Sequence, residues 1–234
     1  MKKKDNFWAF IPARSGSKTI KNKNIIKFKG KPLMAHSIIT AKKLKIFDKI
    51  IVSSDSKKYL NIAKKFGSNF LNLRSKKLSG DKTTDLEVFV YFLNDLKKRK
   101  ISPPKYFIHL RPTTPIRKIS IIKKGINYFL KHKKKYTAMR SVSVMSNPSY
   151  KTMRVKNKKL CSIINKDFDL DKLNKPKEFY ETTYLPNGYI DIIKTANIKN
   201  KKLHGNKVLP YIINEFNSDI DSIEDLKYVD YRIK

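Results

Sequence analysis

The side chains best suited to chemistry fall in three places. The first is the stretch 11–25, IPARSGSKTIKNKNI, in which Arg14, Lys18, Lys21 and Lys23 surround Gly16 and its small neighbours Ser15 and Ser17. A loop leaving the end of a strand presents backbone N–H groups, and a glycine lets a phosphate approach them closely. Arg14 can add a bidentate contact to phosphate oxygens. Neither G-x-x-x-x-G-K-S/T nor G-x-G-x-x-G occurs here, so this is neither a P-loop nor a dinucleotide fingerprint. The second place is RPTTPIR, 111–117, where two prolines stiffen a turn, Thr113 and Thr114 offer hydroxyls, and Arg111 and Arg117 frame them. A rigid loop accounts for the prolines but not for two of the chain's eight arginines beside them. The third is SDIDSIEDL, 218–226. On an extended segment Asp219 and Asp221 point the same way, so two carboxylates can share a hard cation. Plainer readings stand beside the first and third: a solvated basic loop, and an acidic helix start in which Ser222, Glu224 and Asp225 suit the dipole.

The elements that must position these residues alternate between two periodicities. Residues 6–11, NFWAFI, are apolar without alternation, as a strand buried on both faces requires. The spacing then predicts helices over 33–43, 57–66, 86–98 and 119–130, strands over 47–53, 69–73, 106–110, 136–144, 185–193 and 208–212, and a closing helix. That pattern is an α/β fold, a Rossmann-like, mostly parallel sheet with helices on both faces, and in such sheets ligands bind beyond the carboxyl ends of the strands. All three stretches lie in loops. Asp55, after the strand ending in Ser53 and Ser54, reads equally as a helix cap and as a substrate contact. Between 145 and 184 the alternation lapses into short candidate strands at 151–155 and 160–164 and a polar run.

Composition bounds the rest. The 234 residues suit a single unit, and no run approaches the ~20 apolar residues of a membrane span. The short apolar start leads straight into the basic loop, which argues against a cleaved signal and for a cytoplasmic protein without a membrane partner. One cysteine, Cys161, leaves no disulfide framework and no zinc cluster. The net charge of +35 would suit nucleic acid. Yet it comes from 46 lysines spread along the chain, beside abundant Asn and Ile, the products of A- and T-rich codons, and no nucleic-acid-binding motif accompanies it. A solvated face is the better account.

The first stretch resembles the N-terminal signature of the acylneuraminate cytidylyltransferases, the CMP-sialic acid synthetase family. That signature reads I-P-A-R-x-G-S-K-x-I/L-x-x-K-N-I/L and is matched at Arg14, Gly16, Ser17, Lys18, Ile20, Lys23, Asn24 and Ile25. RPTTPIR resembles the family's second signature, Q/R-P-T-S/T-P-L-R, with Arg111 where some members have Gln. Asn187 and Gly188 in LPNGYIDII resemble a third, R-x-N-G-x-x-Y-I, here without its arginine and with Asp191 where an aromatic residue is usual. The D-x-D of Asp219 and Asp221 resembles the fourth, the family's Mg²⁺ site.

The resemblance implies transfer of a cytidylyl group from CTP to an acidic α-keto sugar, sialic acid or a related nonulosonic acid, giving the CMP-sugar and pyrophosphate. It implies that Arg14, Ser15, Gly16, Ser17, Lys18, Lys23, Asn24, Asp81, Arg111 and Thr113 serve the nucleotide. Arg111, Thr114, Arg117, Asn187 and Gly188 would serve the sugar, and Asp219 and Asp221 would hold Mg²⁺. Arg14, Lys18, Asp219 and Asp221 carry the catalysis in this reading. It further implies a homodimer whose arm is the segment 145–184. No histidine falls in a signature, and His109 reads better as a core residue than as a catalyst. Two rivals remain: a CMP-Kdo-type synthetase acting on another α-keto acid sugar, and, from a different class, a basic nucleic-acid-binding protein.

Overall fold

A computed structural model of the chain describes residues 5–164, 169–216 and 218–233. In chain order the elements are β1 (Phe7–Pro12), β2 (Lys27–Phe28), β3 (Lys31–Pro32), α1 (Leu33–Leu44), β4 (Phe47–Ser54), α2 (Lys57–Lys65), β5 (Phe70–Leu73), α3 (Asp85–Lys98), β6 (Tyr106–His109), α4 (Ile119–His132), β7 (Ala138–Val144), β8 (Met153–Lys156), β9 (Lys159–Ser162), α5 (Leu170–Leu173), β10 (Tyr184–Lys194), α6 (Thr195–Lys199), β11 (Val208–Ile212) and α7 (Ile223–Arg232).

The apolar run of β1 is buried because it lies mid-sheet and packs on both faces. Phe7, Ala9 and Ile11 meet α1, α2 and α4, whereas Trp8 and Phe10 meet α3 and α6. Phe10 stacks on Phe89 with ring centroids 4.2 Å apart. Truncating such a buried ring to alanine costs roughly 3–5 kcal/mol. The sheet order is β11-β7-β10-β6-β1-β4-β5. Its pairs are parallel except around β10, which runs antiparallel to both β6 and β7. The expected mostly parallel sheet is therefore present, with one reversed strand that the residue pattern does not announce.

Reversing β10 matters for the site. The carboxyl ends of β1, β4, β5 and β6 share one edge of the sheet, and β10 delivers its amino-terminal half to that edge. There a register shift between Pro186 and Asp191 interrupts its ladder with β7. A third, smaller core unites Ile20, Phe28, Leu33, Ile220 and Val229, and so anchors α7 on the first loop. The segment after β7 leaves the sheet and forms the β8–β9 hairpin, close to the two strands expected there. Among the described residues no helix is long and apolar enough to cross a membrane.

Candidate active site

The loop after β1 is built to hold its shape without a ligand. The carboxylate of Asp55 accepts the Ser15 N–H at 2.8 Å and the Ser15 hydroxyl at 2.6 Å. Burial pushes the Asp55 carboxyl up, but these bonds and the nearby Arg74 charge outweigh it and hold the pKa below the usual range. Asp55 does not cap the next helix; Ser56 does. Asn24, buried, donates its amide to the Arg14 carbonyl at 2.8 Å, so it braces the loop while lining the cleft. Gly16 would have open space around an added Cβ, leaving the approach to this backbone clear.

Beside the loop is a cleft of about 290 Å³, lined by Arg14, Ser17, Lys23, Arg74, Arg111 and Thr113 among others. Three cations in and beside it are already paired with carboxylates. Asp81 accepts from Arg14 at 2.8 Å and from Lys18 at 2.6 Å, and Lys23 reaches Asp221 at 2.6 Å. The C-terminal segment is fixed at the cleft's rim because the Ile220 N–H donates to the Thr113 carbonyl at 2.8 Å. Ile220 is fully buried and its neighbours are exposed, so Asp219 and Asp221 both turn outward on the side away from it. Among the described residues no group of three or more His, Cys, Asp or Glu side chains is placed to hold a metal ion. Two carboxylates beside these cations would suit a metal ion that keeps waters and takes oxygen ligands, as Mg²⁺ does.

On the other side of the cleft the structure redistributes the residues expected at a sugar. Arg117 turns inward and donates to the carbonyls of Tyr189, Arg111 and Gly188 and to the Ser37 hydroxyl. It is a strut between the 111–117 loop and β10, because four oxygen acceptors surround the guanidinium where it would otherwise face a ligand. Asn187 donates to Ser143 and accepts from the Tyr189 N–H, which shapes the register shift in β10. Thr114 is fully buried beneath Gly188, where a Cβ would meet its hydroxyl at 2.7 Å. With φ at +66°, Gly188 is required both for its backbone and for this close approach. Arg111 alone of this group lines the cleft.

A family profile described as Cytidylyltransferase matches residues 8–218. The chain belongs to the cytidylyltransferase family. Over 221 residues it is 32% identical to the N-acylneuraminate cytidylyltransferase of Escherichia coli, covering 94% of this chain and 50% of that protein. It is 30% identical to the CMP-N,N'-diacetyllegionaminic acid synthase of Legionella pneumophila, covering 91% and 89%. Over 89 residues it is 51% identical to a Helicobacter pylori protein named pseudaminic acid cytidylyltransferase and UDP-2,4-diacetamido-2,4,6-trideoxy-beta-L-altropyranose hydrolase, covering 38% of this chain and 17% of that protein. The chain thus spans about half the length of the E. coli relative and less of the H. pylori one. A solved CMP:2-keto-3-deoxy-manno-octonic acid synthetase complexed with CTP shares the fold, with a TM-score of 0.71 over 97% of this chain and 98% of that one at 14% identity.

Within this member of the cytidylyltransferase family, two residues at the cleft escape the sequence reading. Arg74, at the end of β5, is buried in the cleft wall; its Nε donates to the Ser79 hydroxyl at 2.9 Å, and its Nη1 has no hydrogen-bond partner among the described residues. Burial pushes its pKa down, against the pull of Asp55 and Asp85. Asp85, the first residue of α3, accepts from Arg111 at 2.7 Å. The available signal for Arg74 is its type, an arginine after a predicted strand in a chain that otherwise uses lysine.

Proposed function

We propose that the chain transfers the cytidylyl group of CTP to an acidic nonulosonic sugar, releasing pyrophosphate. The observation that carries this reading is the docking of the Asp219–Asp221 segment against the phosphate loop, with Lys23 joined to Asp221 and Ile220 to Thr113. It sets carboxylates for a metal beside cations for a triphosphate. The named relatives act on sialic, legionaminic and pseudaminic acids, which supports a nine-carbon α-keto acid as acceptor.

In this reading the backbone of Ser15–Ser17 and the side chains of Arg14, Lys18 and Lys23 receive the triphosphate. They stabilise the charge that develops on the departing pyrophosphate, where fixed cations contribute most. The anomeric hydroxyl oxygen attacks the α-phosphorus as the bond to pyrophosphate breaks, and the hydroxyl proton passes to solvent. Asp219 and Asp221 would hold Mg²⁺, which supplies charge neutralisation on phosphate oxygens. His109 takes no part as a base because it is sealed in the core, edge-on to Phe10 and Phe89.

We place the enzyme in the cytoplasm, with its CTP, and assign it a homodimer through the segment 145–184. Support for the dimer comes from apolar side chains in and beside that segment left open to water, Val155 at 73%, Phe179 at 72% and Leu185 at 59% exposure among them. Sedimentation of the chain and of Phe179→Glu tests this; a monomer in both would refute it.

The deciding experiment is pyrophosphate release from CTP and Mg²⁺ with a panel of nonulosonic acids and Kdo. Release with one nine-carbon acid supports the reading, and release with Kdo alone moves the substrate to the eight-carbon class. Absence of CTP binding defeats the cytidylyltransferase activity.

A further inference from the structure

Asp191 is a carboxylate at 2% exposure in the middle of β10, opposite His109 of β6 and Arg140 of β7. A buried charge persists only where partners compensate it. Arg111 lies 2.9 Å away, His204 Nε2 3.7 Å and Arg140 3.9 Å. Arg111, where some members of the resembled family have Gln, and Asp191, where an aromatic residue is usual, therefore meet in one contact.

The guanidinium of Arg111 is held from two sides. Nη1 donates to Asp191 and Nη2 to Asp85 at 2.7 Å, so two carboxylates from different elements fix its plane. Its stem passes close to Gly188, where an added Cβ would lie 3.5 Å from Arg111 Cδ. Arg111 and Arg140 on one side balance Asp85 and Asp191 on the other. Arg111 thus faces the cleft as a compensated, immobile donor, whereas an unpaired arginine would act as a mobile cation attracting any anion. A fixed donor discriminates by direction, because an acceptor oxygen must arrive in its plane to bond.

We propose that Asp191 is a positioning residue that, with Asp85, clamps Arg111 and thereby sets which acidic sugars the site accepts. The inference rests on the cytidylyl-transfer reading and adds to it a determinant of specificity. Its ligand chemistry is an oxygen acceptor of the sugar, carboxylate or N-acyl carbonyl, meeting the clamped guanidinium.

The test compares the wild-type chain with Asp191→Asn, Asp85→Asn, Arg111→Gln and the Arg111→Gln/Asp191→Asn double variant. KM is measured separately for CTP and for each acid of the panel. In Asp191→Asn, KM for the sugar should rise at least about tenfold, KM for CTP should stay within about twofold, and the ranking of acids should change. Adding Asp191→Asn to Arg111→Gln should cost less than about threefold more, since the clamp has lost its object. A purely structural role predicts instead a lower melting temperature with both KM values moved together. Unchanged sugar KM and ranking in a folded, active Asp191→Asn overturns the proposal, as do multiplicative losses in the double variant. Should Asp191→Asn fail to fold, Asp85→Asn at the cleft rim carries the same expectation for sugar KM, and no change there overturns it. A wild-type chain that releases no pyrophosphate with any acid overturns the transfer reading and this inference with it; turnover with indifferent variants overturns the inference alone.

Discussion

Lys23 Nζ lies 2.6 Å from Asp221 Oδ1, a contact that joins residues 198 apart in sequence and closes the C-terminal segment onto the first loop. The Lys23 side chain is only 12% exposed, so its ammonium needs a partner at that position. A phosphate can replace Asp221 there, freeing the carboxylate for a cation. Asp221→Ala is therefore expected to lower kcat for pyrophosphate release by at least about 100-fold. CTP binding without added metal should be kept or tightened, because Lys23 no longer answers to a carboxylate. Calorimetric titration with CTP in EDTA, beside steady-state kinetics with Mg²⁺, separates the two effects. A matched loss of both would show that the contact is structural.

Arg74 leads to a second expectation. Its Nη1 is buried at the cleft without a protein acceptor among the described residues, a position costly to maintain unless a ligand completes it. A charge-assisted bond of this kind contributes about 1.5–3 kcal/mol. Arg74→Met should accordingly raise KM for CTP about tenfold or more while leaving the ranking of sugars unchanged. Measuring both on one preparation, with circular dichroism to confirm folding, would expose a merely structural loss.

How far the sequence reaches is visible in these two residues. The loops that carry Lys23 and Asp221 are legible because residue type and spacing within each stretch are local properties. The strands and helices are legible for the same reason: the expected helix at 33–43 is α1, Leu33–Leu44, and the expected strand at 208–212 is β11. The direction of β10 is not, since its carboxyl-terminal half is buried on both faces and carries the same apolar run as a parallel strand. From that reversal follow the meeting of Asp191 with Arg111 and the inward turn of Arg117 toward the carbonyls of Gly188 and Tyr189. An arginine's donors can serve a ligand or a carbonyl equally well, and only the three-dimensional path of the chain decides which.

Asp81 makes a prediction of opposite sign. It engages Arg14 and Lys18 at the distances a phosphate oxygen would take, and it is itself open to solvent. The two cations hold its carboxyl below the usual range. Replacing it by asparagine should release both cations, so KM for CTP should fall by about two- to fivefold at low salt. The gain should fade at high ionic strength, where exposed pairs are screened. A rise in KM would mean that Asp81 contacts the nucleotide directly. Kinetics at two salt concentrations distinguishes these outcomes.

His109 makes stability depend on pH. Burial, reinforced by the Arg111 charge, pushes its pKa from 6.5 down to about 4, against the pull of Asp85 and Asp191. Neither ring nitrogen has a hydrogen-bond partner among the described residues. Between pH 6.5 and 4 the unfolded chain binds a proton at this residue that the folded chain refuses, so stability falls as the solution is acidified through that window. At about 1.4 kcal/mol per pH unit the full loss from this one group is at most about 3 kcal/mol. Asp85 and Asp191, held below their ordinary range, lose most of their contribution at lower pH than this window. In His109→Phe, which would set an apolar ring edge-on to Phe10 and Phe89 without a titrating group, the melting temperature should vary less from pH 6.5 to 4.5 than in the wild-type chain. Parallel thermal melts across that range provide the check, and equal slopes for the two proteins would remove His109 as the cause.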